Sequence, residues 1–217
     1  MKSSPHQLVQ PDSTLPLSKV NRILLLAGLV PVWWFLVWTG IGGALAPGYS
    51  ALSQQGSELT LLPGAPHLCL DIAAIGAGTA FLVFAAGLWM ESGRKFALGS
   101  SAWMLFGLAM MSNGIWKMGS PKHGLYAIGL ACIIAPAMSL LEMRRLRDNR
   151  VAFLMTAIAS GAAILYLWLS LTGNDPAGLR GLTQRIFSSI NSLWPAVIVL
   201  LLLRRKEVVQ SGGIALP

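Results

Sequence analysis

Apolar residues come in six long blocks separated by short polar breaks: 22–46, 67–90, 96–117, 123–143, 151–172 and 184–203. Each block has close to the ~20 residues that a helix needs to cross a bilayer. None shows the short alternating segments of a membrane β-barrel. Hydrocarbon offers no water to hydrogen-bond the backbone, so each span must satisfy its own, as a helix does. The pattern therefore predicts an all-α fold, a polytopic transmembrane bundle of six helices over residues 20–205. Residues 1–19 are polar, contain Pro5, Pro11 and Pro16, and read as a disordered tail; 206–217 read as a flexible one. Small residues at 73–80 (AAIGAGTA) and 157–163 (AIASGAA) predict faces where helix backbones approach closely. Pro31, Pro136 and Pro195 fall inside blocks and predict kinks.

Composition agrees with the pattern. The chain is 54% hydrophobic and 11% charged, against about a quarter charged in soluble domains. Its net charge of +8 does not point to nucleic acid, because no basic patch is interleaved with aromatics. The basic residues stand instead at block ends. Twelve of the sixteen lysines and arginines fall on the side of the two termini, which predicts a multi-pass protein of the cell (inner) membrane with both termini cytoplasmic. Residues 47–66 then face outward, and they contain no lysine or arginine. Lys19, Arg22 and the Ala44-Leu45-Ala46 stretch mimic a signal peptide. The apolar run is longer than usual and Pro47 suits a peptidase poorly, so the first block reads as an uncleaved helix. The RRLRDNR stretch (144–150) serves the topology signal and suits anionic lipid heads. Cys69 starts one block and Cys132 lies about 13 Å deep in another at about 1.5 Å per residue, beyond the ~7 Å a disulfide allows. Two free thiols are expected.

The candidate chemistry gathers at the outer ends of the blocks. Tyr49, Ser50, Ser53 and Glu58 come from the first outer loop. His67 and Asp71 are four apart and share a helix face, as do Asn113 and Lys117. His123 opens the fourth block; Arg185 and Asn191 lie in the outer half of the sixth. An aspartate inside a membrane helix is costly and calls for a partner, with His67, Lys117 and Arg185 as candidates. The plain reading is an ion pair that fixes helix packing. A sharper one is a metal site in which His67, Asp71 and His123, with Glu58, offer two imidazoles and two carboxylates, a set that suits zinc. Ser50 or Ser53 with His67 and Asp71 supplies the residue types of a catalytic triad, without the GxSxG elbow. Trp33, Trp34 and Trp38 crowd the first block and read as packing, while Trp116, Tyr126 and Trp168 read as an interfacial belt. Glu58 and Arg185 are the expected pair, with 47–66 folded over the outer helix ends and Leu59, Leu61 and Leu62 packed beneath it.

Several short motifs together resemble a known family. They are Pro47-Gly48-Tyr49-Ser50 with Ser57-Glu58 downstream, Pro121 with His123, and Gly181-Leu182 with Gln184-Arg185-Ile186 and Leu193-Trp194. The chain resembles the bacterial and archaeal six-helix membrane family filed as domain of unknown function number nine hundred and ninety-eight, itself distantly similar to the Frag1/DRAM/Sfk1 proteins. The resemblance implies six helices and a polar outer face built from these segments, and no established reaction or cofactor.

The expected function is a non-catalytic membrane protein acting through its outer rim or helix faces, with membrane lipid, another membrane protein or a second copy as partner. The alternative is an enzyme of the outer leaflet acting on a lipid or small molecule through His67, Asp71 and His123. A small transporter comes third, because few polar residues lie at the depth of the membrane midplane.

Overall fold

The structure is a computed structural model that describes residues 18–211, with side chains to residue 204. The remainder of the two expected tails, 1–17 and 212–217, lies outside the described residues. All regular structure in the described residues is helical. Ser18 caps α1 (Lys19–Leu26) by accepting from the Asn21 N–H at 3.1 Å. A 3-10 turn at Ala27–Leu29 leads to α2 (Pro31–Ala44), with Pro31 in its first turn. The predicted Pro31 break is therefore present. Then come α3 (Ala65–Ser92) and α4 (Leu98–Ile115). The fourth block is not one helix but α5 (Tyr126–Gly129), a 3-10 stretch at Leu130–Ile133 and α6 (Ala135–Glu142), bent by 43°. Pro136 stands in the first turn of α6, where its missing N–H costs nothing. α7 (Arg150–Thr172) and α8 (Arg180–Ser211) complete the chain, and α8 carries Pro195 as a single helix.

Among the described residues, four elements are long and apolar enough to cross a membrane: Lys19–Ala44, Ala65–Ser92, Arg150–Thr172 and Arg180–Arg204. The bent pair around residue 134 adds a fifth if its two arms form one span. α4 is long enough, but Ser100, Ser101, Ser112 and Asn113 lower its hydropathy below theirs.

Close backbone approach holds α3 to α4. A Cβ on Gly78 would lie 2.6 Å from the Gly107 carbonyl, and one on Gly107 would lie 2.8 Å from the Gly78 carbonyl. This is the contact predicted from the AAIGAGTA stretch. Its other glycine, Gly76, makes room for the Trp34 indole, which donates to the Ile72 carbonyl at 2.9 Å. Gly161 of AIASGAA has nothing within 4 Å, so that face is packed only through Ala159 and Ala162. The centre is aromatic: Trp103 stacks between Phe81 and Trp194, at 5.4 Å from each ring. The Trp194 indole is satisfied by Thr156 at 2.8 Å. Both cysteines are free thiols.

Polar groups collect at both ends of the bundle. At the end away from 47–66, Glu142 is buried and accepts from the N–H groups of Leu98 (2.6 Å) and Gly99 (3.1 Å), capping α4. These are orphan donors of a first turn, and a carboxylate also suits the positive helix end. Nearby, Arg145 pairs with Glu91 at 3.2 Å, and Asn21 donates to Glu91 at 3.5 Å. One of the four arginines read as a surface cluster is thus bound to a carboxylate that is 5% exposed.

Candidate functional site

The connection from α2 to α3 forms the rim of the other end. Gly48, at φ +79°, turns the chain so that the Tyr49 ring packs back over Gly43. A 3-10 turn at Gly56–Leu61 follows, so 47–66 carries a short element of its own. Leu59 is fully buried with Ala46, Leu70 and Ala73, and Leu62 packs against this cluster. Leu61 departs from the expectation and is exposed, because a 3-10 turn cannot bring all three leucines to one side. The Thr60 hydroxyl accepts from the Met118 N–H at 2.9 Å, tying the connection to the exit of α4.

The start of α8 completes the rim. Its Leu182 N–H, an orphan of the first turn, donates to the Leu52 carbonyl at 2.8 Å. The Gln184 side chain accepts from the Gly56 N–H at 2.8 Å. Gly181 permits this closeness, since a Cβ there would collide with the carbonyls of Gln54 and Ala51.

Arg185 sits at the junction. Its Nη1 donates to the carbonyls of Ala51 (2.7 Å), Gln54 (2.9 Å) and Gly181 (3.0 Å), and its Nη2 donates to the Tyr49 hydroxyl at 2.6 Å. The Tyr49 hydroxyl donates onward to the carbonyl of Gln55 (3.0 Å) or Gln54 (3.3 Å). A guanidinium has five N–H donors. The Nε–H and one Nη2–H find no acceptor among the described residues, and no carboxylate pairs with Arg185 among them. Beside it lies a cleft of about 250 Å³, lined by Leu36, Thr39, Gly40, Gly43 and Ala44 of α2 and by Tyr49, Ala51 and Arg185.

The expected Glu58–Arg185 pair does not form. Glu58 accepts from the Gln55 N–H at 2.8 Å and from the Gln54 side chain at 3.3 Å. The carboxylate is occupied at the start of the 3-10 turn, by the Gln55 N–H and the Gln54 side chain. It has no basic partner among the described residues, nor a bond to His67 or His123.

The remaining predicted groups are placed elsewhere. His67 Nε2 lies 3.4 Å from Asp71 Oδ2, each side chain about a quarter exposed, as their spacing predicts. Asp71 Oδ1 is buried without a hydrogen-bond partner among the described residues. Its carboxylate feels His67 and Lys117 electrostatically. His123 is buried, and its Nδ1 lies 2.7 Å from the Trp116 carbonyl, which can only accept; that nitrogen therefore carries the proton. The ring pins the α4–α5 connection, near which Asn113 stands against Gly124. Asn191 is buried within the bundle. No three histidine, cysteine, aspartate or glutamate side chains among the described residues gather into a set that could hold a metal ion. The zinc set of His67, Asp71, His123 and Glu58 is thus not assembled among the described residues. No hydrogen bond joins Ser50 or Ser53 to His67 among the described residues, so the triad is not assembled either.

The rim built by Tyr49, Glu58, Gln184 and Arg185 also carries the motifs of the resemblance. The pattern of one protein family, described as protein of unknown function (DUF998), matches residues 29–201. This chain belongs to the DUF998 family. The DUF998 match begins after α1 and takes in every residue of the rim. Among curated proteins and among solved structures, no match to the chain is found. Family membership and the apolar helices together make it an integral membrane protein.

Sequence reasoning chose Tyr49 and Arg185 and missed what joins them. The partners of Arg185 are backbone carbonyls, which residue types do not reveal. Gln184 had a signal, since it stands in the quoted motif beside Arg185, whereas Gln54 and Gln55 had none.

Proposed function

We propose that this DUF998 member is a six-pass protein of the cell (inner) membrane, with both termini cytoplasmic and the rim on the outer side, that binds a ligand at the Tyr49–Arg185 cleft without transforming it. α4 is the span that hydropathy alone does not count, and it serves as a crossing because two of its four polar residues are covered. Ser100 and Ser112 are buried, and Gly78 and Gly107 press it onto α3. The positive-inside bias supports the orientation.

One observation carries the binding reading: a guanidinium with two unspent donors and no carboxylate partner among the described residues faces a cleft at the end of the helices. Spare guanidinium donors at the end of the helices suit a ligand anion, which they can bind through directed, charge-assisted hydrogen bonds. The separation of His67–Asp71, His123 and Glu58 from this cleft favours binding over catalysis. The alternative enzyme retains one observation, the His67–Asp71 contact at 3.4 Å.

Native mass spectrometry of the full chain, extracted in a mild neutral detergent, tests the reading. Wild-type protein is expected to carry a non-covalent adduct that Arg185→Gln loses and His67→Ala keeps. An adduct indifferent to Arg185, or no adduct at all, contradicts it.

A further inference from the structure

The cleft is too small to enclose a whole amphiphile. About 250 Å³ falls below the roughly 300–1,000 Å³ of pockets that bury drug-sized ligands. It has room for a headgroup. Its α2 wall is built of Leu36, Gly40, Gly43 and Ala44, and the shallow part at Gly40 opens freely, with nothing within 4 Å of where a Cβ would stand. Alongside runs an exposed apolar ridge of Val37, Ile41 and Leu45, four residues apart on the same helix. A groove of small residues beside an apolar ridge follows the helix into the bilayer, while the charged mouth lies at its end. A water-borne anion has no use for that apolar extension, and a lipid does.

We infer that the cleft takes the phosphate of an anionic phospholipid, held by the Nε–H and the spare Nη2–H of Arg185, with the glycerol and the top of one acyl chain along the Leu36–Gly40–Ala44 groove. The inference rests on the binding reading above and names its ligand class. Arginine matches phosphate through directed N–H donors, and those donors keep most of their strength where water is scarce. The three carbonyls and the Tyr49 hydroxyl hold the guanidinium in place before the ligand arrives, which lowers the ordering cost of binding. They are dipoles without net charge, so the site remains cationic and favours an anionic headgroup over a zwitterionic one, whose own ammonium competes with the arginine for the phosphate.

The test uses the full chain in neutral detergent, titrated with phosphatidylglycerol, phosphatidylcholine, glycerol phosphate and inorganic phosphate, and read by thermal midpoint and by adduct mass. The variants are Arg185→Gln and Gly40→Leu. Arg185→Gln also loosens the rim, whereas Gly40→Leu fills the groove in open space and leaves every rim hydrogen bond in place. Phosphatidylglycerol is expected to bind wild type at least about tenfold more tightly than phosphatidylcholine, and to lose about tenfold or more in each variant, in Arg185→Gln through lost hydrogen bonds to a charged group and in Gly40→Leu through the filled groove. Equal binding of the two lipids, or unchanged binding in Gly40→Leu, overturns the inference. If glycerol phosphate or inorganic phosphate binds as tightly as the lipid and depends on Arg185, the lipid assignment falls and the binding reading stands. If no probe binds wild type, both fall.

Discussion

Arg185 of α8 donates to the hydroxyl of Tyr49 at 2.6 Å across 136 positions of sequence. The bond closes the α2–α3 connection onto the start of the last helix. The same guanidinium takes three carbonyls, two of them from that connection. A flexible segment is thereby converted into a fixed wall of the cleft.

Removing only the hydroxyl tests that link. Tyr49→Phe keeps the ring packed on Gly43 and loses both the bond from Arg185 and the bond to the Gln55 carbonyl, at a cost of about 1.5 kcal/mol or more. A lower thermal midpoint in detergent and faster proteolysis within 50–57 are expected. An unchanged midpoint and cleavage rate would show that the bond contributes nothing to holding the rim.

Glycine positions divide by what surrounds them. Gly78→Val forces a side chain into the α3–α4 contact and should destabilise by about 1–3 kcal/mol, the usual range for overpacking. Gly161→Ala meets open space and should be neutral or stabilising by less than about 1 kcal/mol. Unfolding midpoints of the two variants check the contrast, and equal effects would contradict the packing described.

How much of this was legible beforehand depended on the kind of signal. Hydropathy located α3 and α7 to within two residues, because long apolar runs dominate both. Hydropathy alone does not show the bend in the fourth block, which Pro136 marks, nor the 3-10 stretch at Leu130–Ile133 that precedes it. At the site, helical spacing found His67–Asp71. Pairing by charge misplaced Glu58, since its strongest bond goes to a neighbouring backbone N–H that no charge pattern marks. Glu142 was overlooked for the same reason: its partners are the bare N–H groups of another helix.

That cap gives a prediction at the opposite end. Glu142→Ala leaves two first-turn donors of α4 without their acceptor, and the buried Gly99 N–H costs about 1–3 kcal/mol. Glu142→Gln retains one acceptor and should lose less. Comparing the two unfolding midpoints checks this, and an Ala variant as stable as Gln would dismiss the capping role.

Orientation is checked by labelling. In a chain with Cys69 and Cys132 replaced, Ser53→Cys stands at an exposed position and should react with a membrane-impermeant thiol reagent from outside the cell. Labelling only after the cytoplasmic face is opened would invert the proposed topology.

On the proposed reading, the Arg185 cleft selects its lipid rather than meeting whichever one passes. Site-specific photocrosslinking in native membranes tests it most directly, with benzoylphenylalanine placed at Leu36 inside the cleft and, separately, at Val37 on the exposed ridge. Adducts at Leu36 are expected to be enriched in anionic phospholipid relative to those at Val37, with the enrichment abolished by Arg185→Gln. The same lipid composition at both positions, unaffected by Arg185→Gln, would contradict it.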